Sequence, residues 1–495
     1  MNTTKKYIAL DIGGSGGRCV VGGFDGKKLV LNEVYRFENR HVRVLDQVYW
    51  DALNLFSGAK DSLRKARQIY GANPNSLGVD TMGVAFALLD RQGHLLSNPL
   101  YHRLPQAENI LDEAFRRMPR EEIFEITGLQ LMRLDSLYFL LKMRLANSSA
   151  LASAETFLML PDLLNYWLTG RRVCEYTIAS TSHLLDVHIK KWSQRLINTM
   201  GLPEHIFPEI VEPGHIIEDL HPSLKAEMGF KQFAVVATAS HDTAAAIASI
   251  PADDDNFALL SSGTWGLLGT VLSHPIVTPK VADNNFANEG GIVGTTRLLH
   301  NSINLWLAQE CQRIWNKAGE KASWAHLVAL AKQAKPFRAF IDPDTPAFKL
   351  PADMPAAIQA MCKQTGQRIP QTKGEIMRVI FESLAFSYRV AFEKLADILG
   401  KRPKVLYIIG GGSHNELLCQ FAANALNTQV VAMPYEATSA GNILIQMIAS
   451  GDLATINEGH QLVRNSFSSK MYAPVDPLIW ETGFSDYLKI TKLSL

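Results

Sequence analysis

The chain has 495 residues, 47% hydrophobic and 20% charged. That balance excludes a disordered, fibrous or coiled-coil protein and, at roughly 150 residues per domain, implies two to four folded units. Lys and Arg number 49 against 48 Asp and Glu, a net charge of +1, so nothing electrostatic points to nucleic acid or to a membrane surface. Five cysteines with no C-x-x-C spacing suggest neither a disulfide framework nor a thiolate zinc site, and a reducing cytoplasm is expected. The apolar run Tyr7-Ile8-Ala9-Leu10 is too short for a secretory leader, and no run approaches the roughly 18 residues of a membrane span.

In chain order, Tyr7 to Leu10 reads as a short buried strand, Asp11 to Arg18 as a glycine-rich turn, and Cys19 to Val21 as a second strand. Lys28 to Arg36 alternates polar and apolar residues as a third antiparallel strand does. Helical spacing runs from Trp50 to Tyr70, strand character returns at Leu77 to Asp80, and helix-rich sequence extends from Pro105 to about Leu168. Pro161-Asp162 reads as a helix start. Beyond the Pro/Asp-rich stretch near 250, a candidate boundary, the opening pattern recurs. Phe257 to Leu260 is apolar, Ser261-Ser262-Gly263-Thr264 is a small-residue turn, and Trp265 to Val271 is a strand. A third strand-to-glycine turn, Val405 to Ile409 followed by Gly410-Gly411-Gly412, leads into a helix from Asn415 to Leu426. Two such hairpins about 250 residues apart predict two α/β domains of related design.

Glycine turns at strand ends leave backbone N–H groups free to surround an anion, and an aspartate beside them can hold hydrated Mg²⁺. A tight hairpin alone would explain any one of them. Neither G-x-x-x-x-G-K-[ST] nor a G-x-G-x-x-G register occurs, which removes support for a Walker-type NTPase and for a dinucleotide dehydrogenase. Ser240-His241-Asp242-Thr243 opens an alanine-rich helix, where Asp242 is either a helix cap or a general base at the edge of a cleft.

The order of these segments carries a resemblance. Asp11-Ile12-Gly13-Gly14-Ser15-Gly16-Gly17-Arg18, Asp80-Thr81-Met82-Gly83-Val84, Met159-Leu160-Pro161-Asp162-Leu163 and Glu175-Tyr176-Thr177 come first. Ser240-His241-Asp242-Thr243, Ser261-Ser262-Gly263-Thr264-Trp265, Asn288-Glu289-Gly290-Gly291 and Gly410-Gly411-Gly412-Ser413-His414-Asn415 follow. Over residues 7 to about 455 the chain resembles the FGGY carbohydrate kinases of the actin-like ATPase superfamily, and among them the rhamnulokinases. The resemblance implies an α/β protein of two RNase H-like domains, mixed sheets flanked by helices about a central cleft. The expected domains are 1–248 (sugar and phosphate loop), 249–455 (nucleotide) and 456–495, an extension packing on the second.

It further implies ATP-dependent phosphorylation of the terminal hydroxyl of a ketose, L-rhamnulose first, by a cytoplasmic monomer or homodimer. Asp242 matches the catalytic base. Gly83, His241, Thr243 and Asn301 match sugar-contacting positions. Gly14, Ser15, Gly16, Gly17, Arg18, Thr264, Gln309 and Gly411 match ATP-contacting positions, and Asp11 with Asp242 the Mg²⁺-associated carboxylates. Where rhamnulokinases read D-T-W-G-V-D-F this chain has Met82 and Ala85, and Y-R-D becomes Tyr101-His102-Arg103. Those departures keep L-fuculose or another deoxyketose open as the acceptor, and the actin-like fold keeps a non-catalytic ATP-binding regulator open.

Overall fold

Residues 7–12 are buried on both faces, as expected of a strand at the centre of a sheet rather than one alternating between core and solvent. The computed structural model describes residues 4–101, 109–231 and 233–494. They fall into two compact units: residues up to Pro251 with Val271–Leu298 and Glu436–Phe467, and Ala252–Thr270 with Leu299–Tyr435 and the residues from Ser468 onward. The sequence-based division into 1–248, 249–455 and 456–495 treats the chain as consecutive stretches, whereas both units are discontinuous, and 456–495 is shared between them.

The first unit contains β1 (Lys5–Ile12), β2 (Gly16–Phe24), β3 (Leu29–Glu38), α1 (Ala52–Tyr70), β4 (Ser76–Thr81), β5 (His215–Asp219), β6 (Ala234–Ala237) and α2 (Asp242–Ala248). The sheet order is β5-β6-β4-β1-β2-β3. β1 runs antiparallel to β2 and parallel to β4, in a register that sets Asp11 opposite both Arg18 and Asp80. Leu55, Ala59, Leu63 and Ala66 recur at helical spacing on the buried face of α1, and full burial of such a leucine stabilises by roughly 1.5–3 kcal/mol. Asp51 caps α1 by accepting from the Asn54 N–H.

The helix-rich stretch holds Ile110–Arg117, Arg120–Thr127, Ser136–Leu145 and Leu160–Thr169, the last with a proline in its first turn. A strand the helical pattern did not anticipate, Thr156–Met159, lies inside that stretch and pairs with Phe86–Leu89. Four residues are too few for a period to show. These elements, with the Leu137–Leu141 stripe, build a second apolar core.

The second unit contains β7 (Phe257–Ser262), β8 (Trp265–Leu272) up to Thr270, the second half of β9 (Thr296–Ile303), α3 (Lys373–Leu399), β10 (Val405–Ile409), α4 (Glu416–Leu426), β11 (Gln429–Ala432) and β12 (Lys470–Tyr472). Its strands run β9-β8-β7-β10-β11-β12, with β7 antiparallel to β8 and parallel to β10. Each unit therefore centres on a strand whose next strand folds back antiparallel and whose other neighbour is parallel. Among the described residues no helix is long and apolar enough to cross a membrane, and all five cysteines are free and buried.

Candidate functional site

The β1–β2 turn is closed by the Gly13 N–H donating to Gly16 O at 3.0 Å, and Asn39 Nδ2 donates to Gly13 O at 2.9 Å. A Cβ on Gly17 would stand 2.2 Å from the Phe37 ring, so a side chain there would have to displace that ring. Asp11, Gly13, Ser15, Gly16, Gly17 and Arg18 line a pocket of about 590 Å³. Arg18 Nε and an Nη donate to Asp11 Oδ2 at 2.8 and 2.7 Å, and the guanidinium also pairs with Glu436. Burial pushes the Asp11 carboxyl up, and the charge of Arg18 pulls against it.

On neighbouring strand ends, the Thr81 N–H donates to Ser240 O at 2.9 Å, bringing the Gly83 segment against the segment that opens α2. Glu175, fully buried, accepts from the Thr177 N–H (2.8 Å), Thr177 Oγ1 (2.6 Å), the Ile178 N–H (3.1 Å) and the Ser240 N–H (3.0 Å). Thr177 Oγ1 in turn accepts from the His241 N–H at 3.2 Å. Asp242 is the first residue of α2, its N-cap is His241, and no side-chain cap bond forms. The capping alternative for Asp242 therefore fails. Its side chain is 30% exposed, Thr243 Oγ1 donates to Oδ1 at 3.1 Å, and His241 Nε2 stands 3.5 Å from the same oxygen.

His241 Nδ1 lies 3.1 Å from an Arg297 Nη and 3.3 Å from Glu289 Oε2, and those two are 3.0 Å apart. Arg297 Nε donates to Gly290 O at 2.6 Å. Burial alone would raise the Glu289 carboxyl; Arg297 and His241 outweigh it and hold it at about 2. Burial pushes Asp80 well above the usual carboxylate range, with the charges of Asp11 and Asp242 in the same direction, while Asn442 Nδ2 donates to its Oδ2 at 2.6 Å.

In the second unit the Gly263 N–H donates to Trp265 O at 2.9 Å, and Thr264 Oγ1 donates to Gln309 Oε1 at 3.1 Å. Asn304 Nδ2 donates to Ser262 Oγ (2.9 Å) and Gly263 O (3.2 Å), and its Oδ1 accepts from the Tyr388 hydroxyl. A Cβ on Gly412 would fall 1.9 Å from Ser262 Oγ, whereas one on Gly411 meets nothing within 4 Å among the described residues. Asn301 sits half-buried on β9.

The first unit thus carries Asp11, Gly14 to Arg18, Gly83, His241, Asp242 and Thr243, and the second carries Thr264, Asn301, Gln309 and Gly411. Sequence reasoning assigned no role to Asp80, Glu175, Glu289, Arg297, Asn304 or Glu436. Asp80, Glu175 and Glu289 stood within quoted motifs, while a lone arginine on a strand gives no signal that it will be 1% exposed beside His241. Met82 and Ala85 are buried in an apolar core. Tyr101 stacks on His41 with ring centroids 4.7 Å apart, and His102 and Arg103 lie outside the described residues.

Residues 6–248 match the N-terminal domain of the FGGY family of carbohydrate kinases and residues 258–450 its C-terminal domain. A rhamnulokinase of Bacteroides thetaiotaomicron is 39% identical over 97% of this chain and 98% of its own length. One from Oceanobacillus iheyensis is 36% identical over 94% and 98%. Among solved structures, a ligand-bound xylulose kinase from Lactobacillus acidophilus superposes with a TM-score of 0.81 at 17% identity, covering 98% of this chain and 97% of that one. Plasmodium falciparum glycerol kinase with ADP gives 0.80 at 13% identity, covering 99% of each. At those identities the structural likeness speaks for the fold.

Proposed function

The chain belongs to the FGGY family of carbohydrate kinases, transferring phosphate from ATP to a sugar hydroxyl, and from that premise we propose that the acceptor is L-rhamnulose and that Asp242 is the general base. The observation that carries the base assignment is the state of the Asp242 carboxylate. It is partly open to solvent, it is not the N-cap of α2, and the contacts from Thr243 and His241 fall on one and the same oxygen. A hydroxyl attacking a phosphoryl group must lose its proton, and a carboxylate that a substrate can reach can take it.

His241 presents Nε2 towards Asp242 because Nδ1 is turned to the buried Glu289–Arg297 pair; this orientation suits it to hold the sugar beside the base. Gly83 and Thr243 border the same place, and Asn301 is assigned to the sugar by its match to the family. Phosphoryl transfer asks a protein for in-line placement and charge neutralisation. Backbone N–H groups of Gly14 to Gly17 and the Arg18 guanidinium suit the phosphates, and Thr264, Gln309 and Gly411 the rest of the nucleotide.

The carboxylates Asp11 and Asp242 offer oxygen ligands only, which suits Mg²⁺, an ion that keeps waters and substrate phosphates in its shell. No cluster of three His, Cys, Asp or Glu ready to hold a metal by itself occurs among the described residues. Bound there, the ion would neutralise phosphate charge. Five buried free thiols support a reducing, cytoplasmic setting.

The rhamnulokinases to which the chain is similar over nearly its whole length support L-rhamnulose. Met82 and Ala85 favour a second reading, another deoxyketose such as L-fuculose, since neither offers the indole or carboxylate of the family pattern. Asp242→Asn is expected to abolish sugar phosphorylation while ATP binding, read by calorimetry, stays within about twofold; near-normal turnover would remove the base assignment.

A further inference from the structure

Behind the turn at Gly83–Val84 lies a buried acid–imidazole pair that the chemistry above does not use. Asp135 and His183 are 3% and 0% exposed, and His183 Nδ1 stands 2.6 Å from Asp135 Oδ2. Burial pushes the Asp135 carboxyl up, and the hydrogen bond and charge of His183 pull against it. The His183 backbone is left-handed, with φ +64°, a region uncommon for non-glycine residues but one that His, Asn and Asp enter more often than the rest. His183 Nε2 and the hydroxyl of Tyr138, whose ring meets His183 edge-on at 5.5 Å, have no hydrogen-bond partner among the described residues. An unpartnered buried polar atom costs roughly 1–3 kcal/mol, so this is an expensive way to fill a core.

Residues adjoining the pair hold Val84 by both of its backbone groups. Ser136 Oγ donates to Val84 O at 2.7 Å, and the Val84 N–H donates to Thr181 Oγ1 at 3.0 Å. Val84 itself has φ +62°, an outlier for a β-branched residue that persists only where its surroundings over-determine it. Thr181 also occupies the space beside Gly83, 3.2 Å from where a Cβ would stand. Its neighbour Ser180 accepts from the Gly290 N–H at 2.8 Å, next to the glutamate that faces His241. The Asp135–His183 bond therefore ties together the two segments, 135–136 and 180–183, that fix this turn.

We propose that the Asp135–His183 pair is a positioning element that sets the Gly83–Val84 turn and, through it, which sugar is accepted. The inference rests on Gly83 contacting the sugar, as read above. Sugars that differ in one hydroxyl are told apart by groups held rigidly in place, and slack in this turn blurs that distinction without touching the nucleotide loops.

The test compares wild type, His183→Phe, His183→Asn and Val84→Gly, with kcat and KM for L-rhamnulose, L-fuculose and ATP, and thermal melts of each protein. His183→Phe keeps a ring and loses the donor; Val84→Gly removes the need for the turn to be held. Each is expected to raise the sugar KM roughly tenfold and to narrow the kcat/KM ratio between the two sugars, with KM for ATP unchanged. His183→Asn keeps an N–H near the Nδ1 position and accepts the left-handed backbone, so it is expected within about twofold of wild type. If His183→Phe does not fold, Val84→Gly decides, because it relieves strain and removes no polar contact. Melting temperatures that fall while sugar KM and the sugar ratio stay put would overturn the inference and leave the pair a structural one. A wild type that phosphorylates no ketose would instead bring down the proposed function, and this inference with it.

Discussion

At Gly411 a Cβ would meet nothing within 4 Å among the described residues, while its neighbours Gly410 and Gly412 are pressed against the backbone and side chain of Ser262. A side chain at 411 therefore fits the free protein, and any harm it does must fall on a ligand. Gly411→Val is expected to leave the melting temperature within about 2 °C while raising KM for ATP roughly tenfold; a lowered melting temperature with unchanged ATP affinity would mean that the turn is only a turn. Asp11 and Asp242 stood out in the sequence as candidates, one beside a glycine-rich turn and one opening a helix within the family's motif order. Arg297 and Glu436 did not, because their importance comes from partners far along the chain, His241 and Arg18, that no local pattern brings together.

At the scale of elements, the segment Ser240–Thr243 is carried by Glu175, which stands at the start of a one-turn helix and accepts from four donors. Burial, opposed by those hydrogen bonds, raises its carboxyl from 4.5 to about 7. The folded protein thus holds a proton that the unfolded chain releases above pH 4.5. The stability this contributes, roughly 3 kcal/mol, is fully present below pH 4.5 and is lost as pH rises through 7. Glu175→Gln lacks that titration and offers one oxygen to the four donors, so it is expected to be less stable than wild type at pH 5, by a margin that shrinks at pH 8. A margin independent of pH, measured by thermal melts, would contradict this. Elements with a long period were readable in the sequence, as with the helical spacing that became α1. The strand Thr156–Met159 was hidden because only its partner Phe86–Leu89 makes it a strand.

On the scale of the molecule, the repeat of a strand, a small-residue turn and a returning strand about 250 residues apart was visible because both hairpins use short turns. In each unit the first strand of that hairpin is the one with an antiparallel and a parallel neighbour. What the sequence hid is that Val271–Leu298 and Glu436–Phe467 return to the first unit. The later of these segments brings the helix Ala437–Ala449, whose buried face adds polar contacts to its apolar ones, Asn442 to Asp80 and Gln446 to Ser76 and Ile8 O. In the sequence, Asn442 and Gln446 are only two amides on an apolar helix.

L-Rhamnulose as the acceptor is the central proposal. A coupled ATP-turnover assay of the purified protein with Mg²⁺ across L-rhamnulose, L-fuculose, L-ribulose, D-xylulose and glycerol tests it. The expected result is a kcat/KM for L-rhamnulose at least about tenfold above every other sugar, lost in Asp242→Asn. A preference for another sugar, or sugar-independent ATP turnover that survives Asp242→Asn, would contradict it.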